Sequence, residues 1–182
     1  MDSDKWDRGM TANALIAEAE ELWSRRQEGR FLETKALTLL GKAGALGVVD
    51  IHFRIAALYR YDDELLAIQW LLEGARSMEL ACLLELARAL SGGGPWSAAI
   101  TDLDGSRVYW RLWFNENMSS PNGGFAMLPH LAEYTHVLHH GTVDQSDIKT
   151  LAAIQDYYKH QDSSQLLAVS SLIASVLEAH GL

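Results

Sequence analysis

Residues 50–75 read DIHFRIAALYRYDDELLAIQWLLEGA, and this stretch decides the fold. On either side of Tyr61-Asp62 the apolar side chains recur every three to four residues, which is the spacing of one face of an α-helix. Asp62 and the carboxylates that follow it are typical of a helix N-terminus. We therefore predict two amphipathic helices joined by a short turn. Their predicted inner faces are Ile51, Ile55, Leu58 and Tyr59 in the first helix and Leu65, Ile68, Leu72 and Ala75 in the second.

The same pattern extends to both sides of this stretch with an offset of 31 residues. Residues 36–40 align with residues 67–71, and the pairs Ala43-Gly44 and Ile55-Ala56 align with Gly74-Ala75 and Leu86-Ala87. A repeat of this length is typical of stacked helix pairs. Small side chains then lie where helices cross closely, and large ones fill the layers between.

The repeated stretch resembles one unit of the Sel-one-like repeats, which are relatives of the tetratricopeptide repeats. The resemblance covers about residues 30–91. The matching positions are Ile55, Ala56 and Tyr59 in the first helix and Ala67, Trp70, Leu71 and Ala75 in the second. The resemblance implies helix-pair packing and a protein that binds other proteins without catalysis.

We predict an all-α fold in which a short solenoid of helix pairs is followed by a C-terminal helical bundle. One compact domain would contain a helical-repeat-like half (1–91), an aromatic, loop-rich junction (92–125) and the C-terminal helices (126–182). Two interpretations of residues 97–114 stay open. Asp104-Gly105 is a β-hairpin signal, whereas Ser106 could cap a helix. Residues 115–124 are predicted to form a loop.

The charge of the chain is concentrated in its later part. The 182 residues include 24 acidic and 15 basic side chains, which gives a net charge of −9. Residues 1–60 carry nine of each kind, whereas residues 61–182 carry fifteen acids and six bases. A negative field repels nucleic acids and anionic membranes. We therefore expect a partner protein with a basic surface, and neither a nucleic acid nor a membrane.

Two groups of residues are candidates for partner binding. The first is an acidic and aromatic turn, and the second belongs to an aromatic run, a composition that is typical of interface anchors. The alternatives are helix capping for the first group and core packing for most of the second. The candidates are Tyr59, Tyr61, Asp62, Asp63 and Glu64 in the first group and Asp102, Asp104, Tyr109, Trp110 and Trp113 in the second.

Four histidines form a candidate metal site, because His136, His139 and His140 share one helix face and His130 lies one or two turns away. The alternative is that imidazoles near a helix C-terminus offset its negative end. No nucleotide-binding or nucleophile motif is present in the sequence. We expect no cofactor.

These features predict a non-enzymatic, cytoplasmic protein that binds another protein. The specific hypothesis is an immunity or antitoxin-type inhibitor of a basic bacterial toxin, because the chain is small, acidic and without a catalytic motif. The alternatives are a metal-dependent enzyme or metal-binding protein built on the four histidines, and a homo-oligomeric scaffold. Cys82 is the single cysteine of the sequence and cannot form an internal disulfide. A chain without internal disulfides is typical of a reducing compartment.

Overall fold

The computed structural model describes residues 3–93, 101–120 and 126–182, with side chains from Thr11 onward. Within these residues the regular structure is helical and no strand forms, so the predicted all-α class is confirmed. A single turn of 3-10 helix spans Arg26–Glu28. The α-helices are α1 (Ser3–Ser24), α2 (Arg30–Ala45), α3 (Ile51–Tyr59), α4 (Glu64–Arg76), α5 (Leu80–Leu90), α6 (Leu103–Ser119), α7 (Met127–His140), α8 (Gln145–His160) and α9 (Leu166–Ala179). None of the described helices has the length and apolar content of a membrane span.

The chain divides into two compact units, Met1–Cys82 and Leu83–Leu182, and the division falls inside α5. In the first unit α1 packs on α2, α2 also contacts α3, and α3 packs on α4. In the second unit α6 contacts α7 and α8, and α9 packs on α7 and α8. The solenoid arrangement of the helix pairs stays a prediction.

The core of the first unit depends on small side chains. Each helix from α1 to α4 buries at least one alanine completely, and large residues fill the spaces beside them. Ile51, Ile55 and Tyr59 of α3 are buried as predicted. The predicted inner face of α4 is wrong in part: Ala75 is buried as predicted, Ile68 and Leu72 are half-buried, and Leu65 is largely exposed. The buried residues of α4 are Ala67, Leu71, Gly74 and Ala75.

Gly74 of α4 lies close to His52 of α3 and to Cys82 of α5. A Cβ atom at this position would collide with Sγ of Cys82 and would lie 2.8 Å from Cβ of His52. Beside this contact, Nδ1 of His52 lies 2.6 Å from Oε1 of Glu79. A glycine is therefore required here by space and not by backbone conformation.

The hairpin interpretation of residues 97–114 is wrong over the described part of that range, because α6 runs through it. Asp102 caps this helix, and its Oδ1 accepts a hydrogen bond of 2.9 Å from the backbone N–H of Gly105. Ser106 is therefore not the cap; its buried hydroxyl donates to the backbone oxygen of Ala87 at 2.6 Å. The predicted loop at 115–124 is wrong for residues 115–119, which continue α6. Residues 97–100 and 121–125 lie outside the described residues.

The second unit packs around aromatic side chains of α6. Trp110, Trp113 and Phe114 are fully buried, and Tyr134 of α7 lies against Trp110 and Phe114. Rows of aliphatic side chains from α7, α8 and α9 complete this core. The buried members include Leu131, Val137, Leu138, Leu151, Ile154, Val169, Ile173 and Val176.

Substitution of two glycines tests the close packing of the first unit. We expect Gly74→Ala to lower the free energy of unfolding by about 1–3 kcal/mol, because the added methyl group overpacks the site. The matched control is Gly41→Ala on α2, where nothing lies within 4 Å of the added atom. That change should raise the free energy of unfolding by about 0.5–1 kcal/mol. Urea denaturation measures both, and equal effects would contradict the packing described.

Candidate functional site

A cleft of about 260 Å³ lies in the first unit between the α1–α2 turn and the α3–α4 turn. An ion pair between Arg26 of the first turn and Asp62 of the second brings the two turns together. The Arg26 guanidinium also lies over the ring of Trp23, 5.0 Å from its centroid. We call this cleft the turn cleft. Its lining residues are Trp23, Arg26, Gln27, Arg30, Glu33, Tyr59, Asp62 and Asp63.

Large exposed apolar side chains lie close in sequence to residues that line the turn cleft. Phe31 follows Arg30, which lines the cleft, and is 75% exposed. Tyr61 precedes Asp62, which also lines the cleft, and is 85% exposed. Leu65, in the first turn of α4, is 62% exposed. We call Phe31, Tyr61 and Leu65 the turn surface. Exposed aromatic and aliphatic residues near a cleft are typical of protein-contact sites.

Tyr59 does not belong to the exposed surface, although the sequence suggested it for partner binding. Its ring is buried edge-on against Trp23, with centroids 4.7 Å apart. Its hydroxyl donates to Oε1 of Glu33 at 2.6 Å. Burial and this carboxylate raise the pKa of the Tyr59 phenol well above its usual range. Tyr59 therefore holds α3 against α1 and α2, and within the turn cleft it forms part of the wall instead of an exposed anchor.

The three acidic candidates of the first group have different roles. Asp63 caps α4, because its Oδ1 accepts from the backbone N–H of Leu66 at 3.0 Å. Asp62 is paired with Arg26, so it is not the cap predicted from the sequence. Glu64 is half-buried in the first turn of α4. Of the five predicted residues in this group, Tyr61 is the one that combines high exposure with a large ring.

The second predicted group is exposed only at its two aspartates, Asp102 and Asp104. Trp110 and Trp113 are completely buried, so their assignment as binding anchors is corrected, and core packing is the better interpretation. Asp102 is the N-cap of α6, and Asp104 pairs with Arg107 at 3.4 Å. Tyr109 is half-buried.

In the part of the chain that it describes, the structure does not bring the four candidate metal-binding histidines together as one group, and only His136 and His140 lie side by side. Nδ1 of His130 lies 3.1 Å from a guanidinium nitrogen of Arg88, and its ring is edge-on to Trp113. Burial and the Arg88 charge lower the pKa of His130. Nε2 of His139 lies 3.3 Å from Oγ of Ser175. Among the described residues no group of three or more His, Cys, Asp or Glu side chains is arranged to hold a metal ion.

A buried charged network, not anticipated from the sequence, joins α6, α7 and the start of α8. Asp147 is completely buried and its Oδ1 accepts from the Tyr134 hydroxyl at 2.7 Å and from Arg111 at 3.0 Å. Arg107 lies 3.3 Å from the other oxygen of Asp147. Asp144 caps α8 and pairs with Arg111 at 3.0 Å. Each charged group of the network therefore lies beside a group of opposite charge and takes part in hydrogen bonds. A buried charge needs both to be tolerated.

Comparison of the chain with protein families, curated proteins and solved structures gave no match.

Stability measurements distinguish the exposed ring of Tyr61 from the buried ring of Trp113. We expect Trp113→Ala to lower the free energy of unfolding by about 3–5 kcal/mol, because it leaves a large cavity in the core. Tyr61→Ala should change it by less than about 0.5 kcal/mol, because the ring is almost fully exposed. Thermal and urea unfolding measure both. A large loss for Tyr61→Ala would show that this ring packs within the fold.

The charged network predicts a specific acid sensitivity. Partial desolvation opposes ionisation of Asp144, but backbone N–H groups of Asp147 and Ser146 and the Arg111 guanidinium outweigh it and lower the Asp144 pKa to about 2. This pKa lies below that of an aspartate in the unfolded chain, about 3.9. The ionised carboxylate therefore stabilises the fold above about pH 4, and this contribution is lost as the pH falls toward 2.

Asp144→Asn should remove this part of the pH dependence, because asparagine still caps a helix but carries no charge. Urea unfolding between about pH 5 and pH 2 should show a shallower loss of stability for the variant than for the unchanged chain. Glu178→Gln, at an exposed position of α9, is the control and should keep the original slope. Identical slopes for all three proteins would contradict the role given to Asp144.

Proposed function

We propose that this chain is a non-enzymatic protein-binding protein and that the turn surface, Phe31, Tyr61 and Leu65, is its main contact. The observation that carries the proposal is the exposure of two aromatic rings and a leucine that lie close in sequence to residues lining the turn cleft. Aromatic side chains bury much apolar area on binding and lose few rotatable bonds, which makes tyrosine common among the residues that dominate binding energy. The turn cleft itself offers a recess for one side chain of a partner.

Electrostatics would contribute less to this contact than the net charge suggests. The turn cleft is lined by two cations, Arg26 and Arg30, and by three carboxylates. In the second unit the arginines 88, 107 and 111 are all paired with carboxylates inside the unit, and this pairing leaves the net charge of −9 unchanged. A basic partner would still associate faster at low salt, but the aromatic contacts would determine how long it stays bound.

The specific form of the proposal is an immunity or antitoxin-type inhibitor of a toxin with a basic surface. The small size, the net charge of −9 and the lack of a catalytic motif in the sequence support it. A cytoplasmic location belongs to the same proposal, and the lone, buried Cys82 supports it. A homo-oligomeric scaffold is the second candidate, since the same exposed side chains would serve contact between copies.

Comparative affinity capture tests this proposal. The unchanged chain, a Phe31→Ala/Tyr61→Ala variant and a Leu167→Ala control are each used to capture proteins from the native host. Leu167 is equally apolar and highly exposed but lies on α9 in the second unit. A captured protein is then produced alone, and its dissociation constant is measured at low and high salt. We expect the double variant to bind it at least about tenfold more weakly, since each lost anchor costs about 1 kcal/mol or more.

The control and the growth assay make the result decisive. Leu167→Ala should bind as tightly as the unchanged chain, and equal weakening in both variants would contradict the turn surface as the contact. If the captured protein is toxic, co-expression with the unchanged chain should restore growth, whereas co-expression with the double variant should not. A partner without toxicity would contradict the immunity form of the proposal. Sedimentation of the purified chain alone tests the scaffold alternative.

A further inference from the structure

His136 and His140 lie one helical turn apart at the C-terminal end of α7, and both side chains are exposed. Their ring centroids are 4.5 Å apart, with an angle of 66° between the ring planes. Within the described part of the chain neither imidazole has a hydrogen-bond partner. Two free imidazoles side by side on one face are a feature that the protein-binding proposal does not use.

The spacing of these rings is that of a chelate. An imidazole nitrogen binds a transition-metal ion at about 2.0–2.1 Å, which places the ring centroid about 3.2 Å from the metal. Two rings that meet at the metal at a right angle then have centroids about 4.5 Å apart. The observed separation of the centroids equals this value, so rotation of the side chains alone would aim one nitrogen of each ring at a shared ion, with the helix unchanged.

We infer that His136 and His140 form a two-histidine site for a divalent transition-metal ion, with Cu²⁺ and Ni²⁺ preferred. Two nitrogen ligands at a right angle suit the square-planar or tetragonal geometry of these ions, and Cu²⁺ binds nitrogen ligands more tightly than its neighbours. The negative end of the α7 helix dipole also favours a cation at this position. Mg²⁺ and Ca²⁺ do not fit, because they prefer oxygen ligands.

The neighbouring groups limit the site to two protein ligands. The Glu133 carboxylate, one turn before His136, is held by Arg88 through bonds of 2.6 and 2.7 Å. His139 lies against Ser175. Water or a ligand from another molecule would therefore fill the remaining positions on the metal, so the ion would exchange readily. The site is distinct from the four-histidine centre considered from the sequence, because His130 and His139 are engaged elsewhere.

Titration with CuCl₂ or NiCl₂ tests the inference, using the unchanged chain, His136→Ala, His140→Ala and the control His139→Ala. Calorimetry in a weakly coordinating buffer at about pH 8, where imidazoles are mostly neutral, should give one ion per chain. Each of the first two variants should bind at least about tenfold more weakly, because loss of one ligand removes the chelate effect. The Cu²⁺ complex of the unchanged chain should show two nitrogen ligands by electron paramagnetic resonance.

The control separates this site from metal bound elsewhere. His139→Ala should bind within about twofold of the unchanged chain, since this side chain is not part of the chelate. Equal weakening in all three variants, unchanged affinity in His136→Ala, or no binding at all would overturn the inference. Circular dichroism confirms that each variant keeps its helices, as expected for exposed positions. None of these outcomes depends on whether the turn surface binds a protein.

Discussion

The close approach of helices at alanine and glycine is the constraint on which the first unit depends. Ala19, Ala36, Ala56 and Ala67 contribute one fully buried small residue from each of α1 to α4. At a closer distance helices bury more of the larger side chains beside the contact and gain more dispersion energy. The approach also decides where the turns lie, because Arg26 of one helix pair reaches Asp62 of the next. The turn cleft and its exposed rim are consequences of that packing.

The second unit depends on a different interaction, the burial of Asp147 between two arginines and a tyrosine. A carboxylate in this position would be strongly destabilising without such partners. Because Arg107 and Arg111 are held by it, they are not available to the surface. This pairing does not change the net charge after Tyr61, since the six bases are already counted against the fifteen acids. What the buried network decides is position, because Asp147 and the two arginines are held inside the unit.

Several features were predictable from the sequence because they depend on local periodicity. The all-α class, the buried stripe of α3 and the inward faces of α7 and α9 all follow from apolar residues spaced by three and four. The α4 face was not predictable in the same way. Leu65, Ile68 and Leu72 form an equally good stripe, but the buried residues of α4 are Ala67, Leu71, Gly74 and Ala75. Exposure of Leu65 follows from that choice, and so does part of the candidate surface.

The sequence by itself determined the helical class, the charge distribution and the aromatic composition, because these depend on residue type and on spacing along one chain. The tertiary structure decided which aromatic residues are available for binding. Trp110 and Trp113 have the composition of binding anchors but are buried, whereas Phe31 and Tyr61 are exposed. It also decided which histidines remain free, since His130 and His139 contact other residues while His136 and His140 face each other. Both outcomes depend on contacts between residues far apart in the chain, which periodicity does not encode.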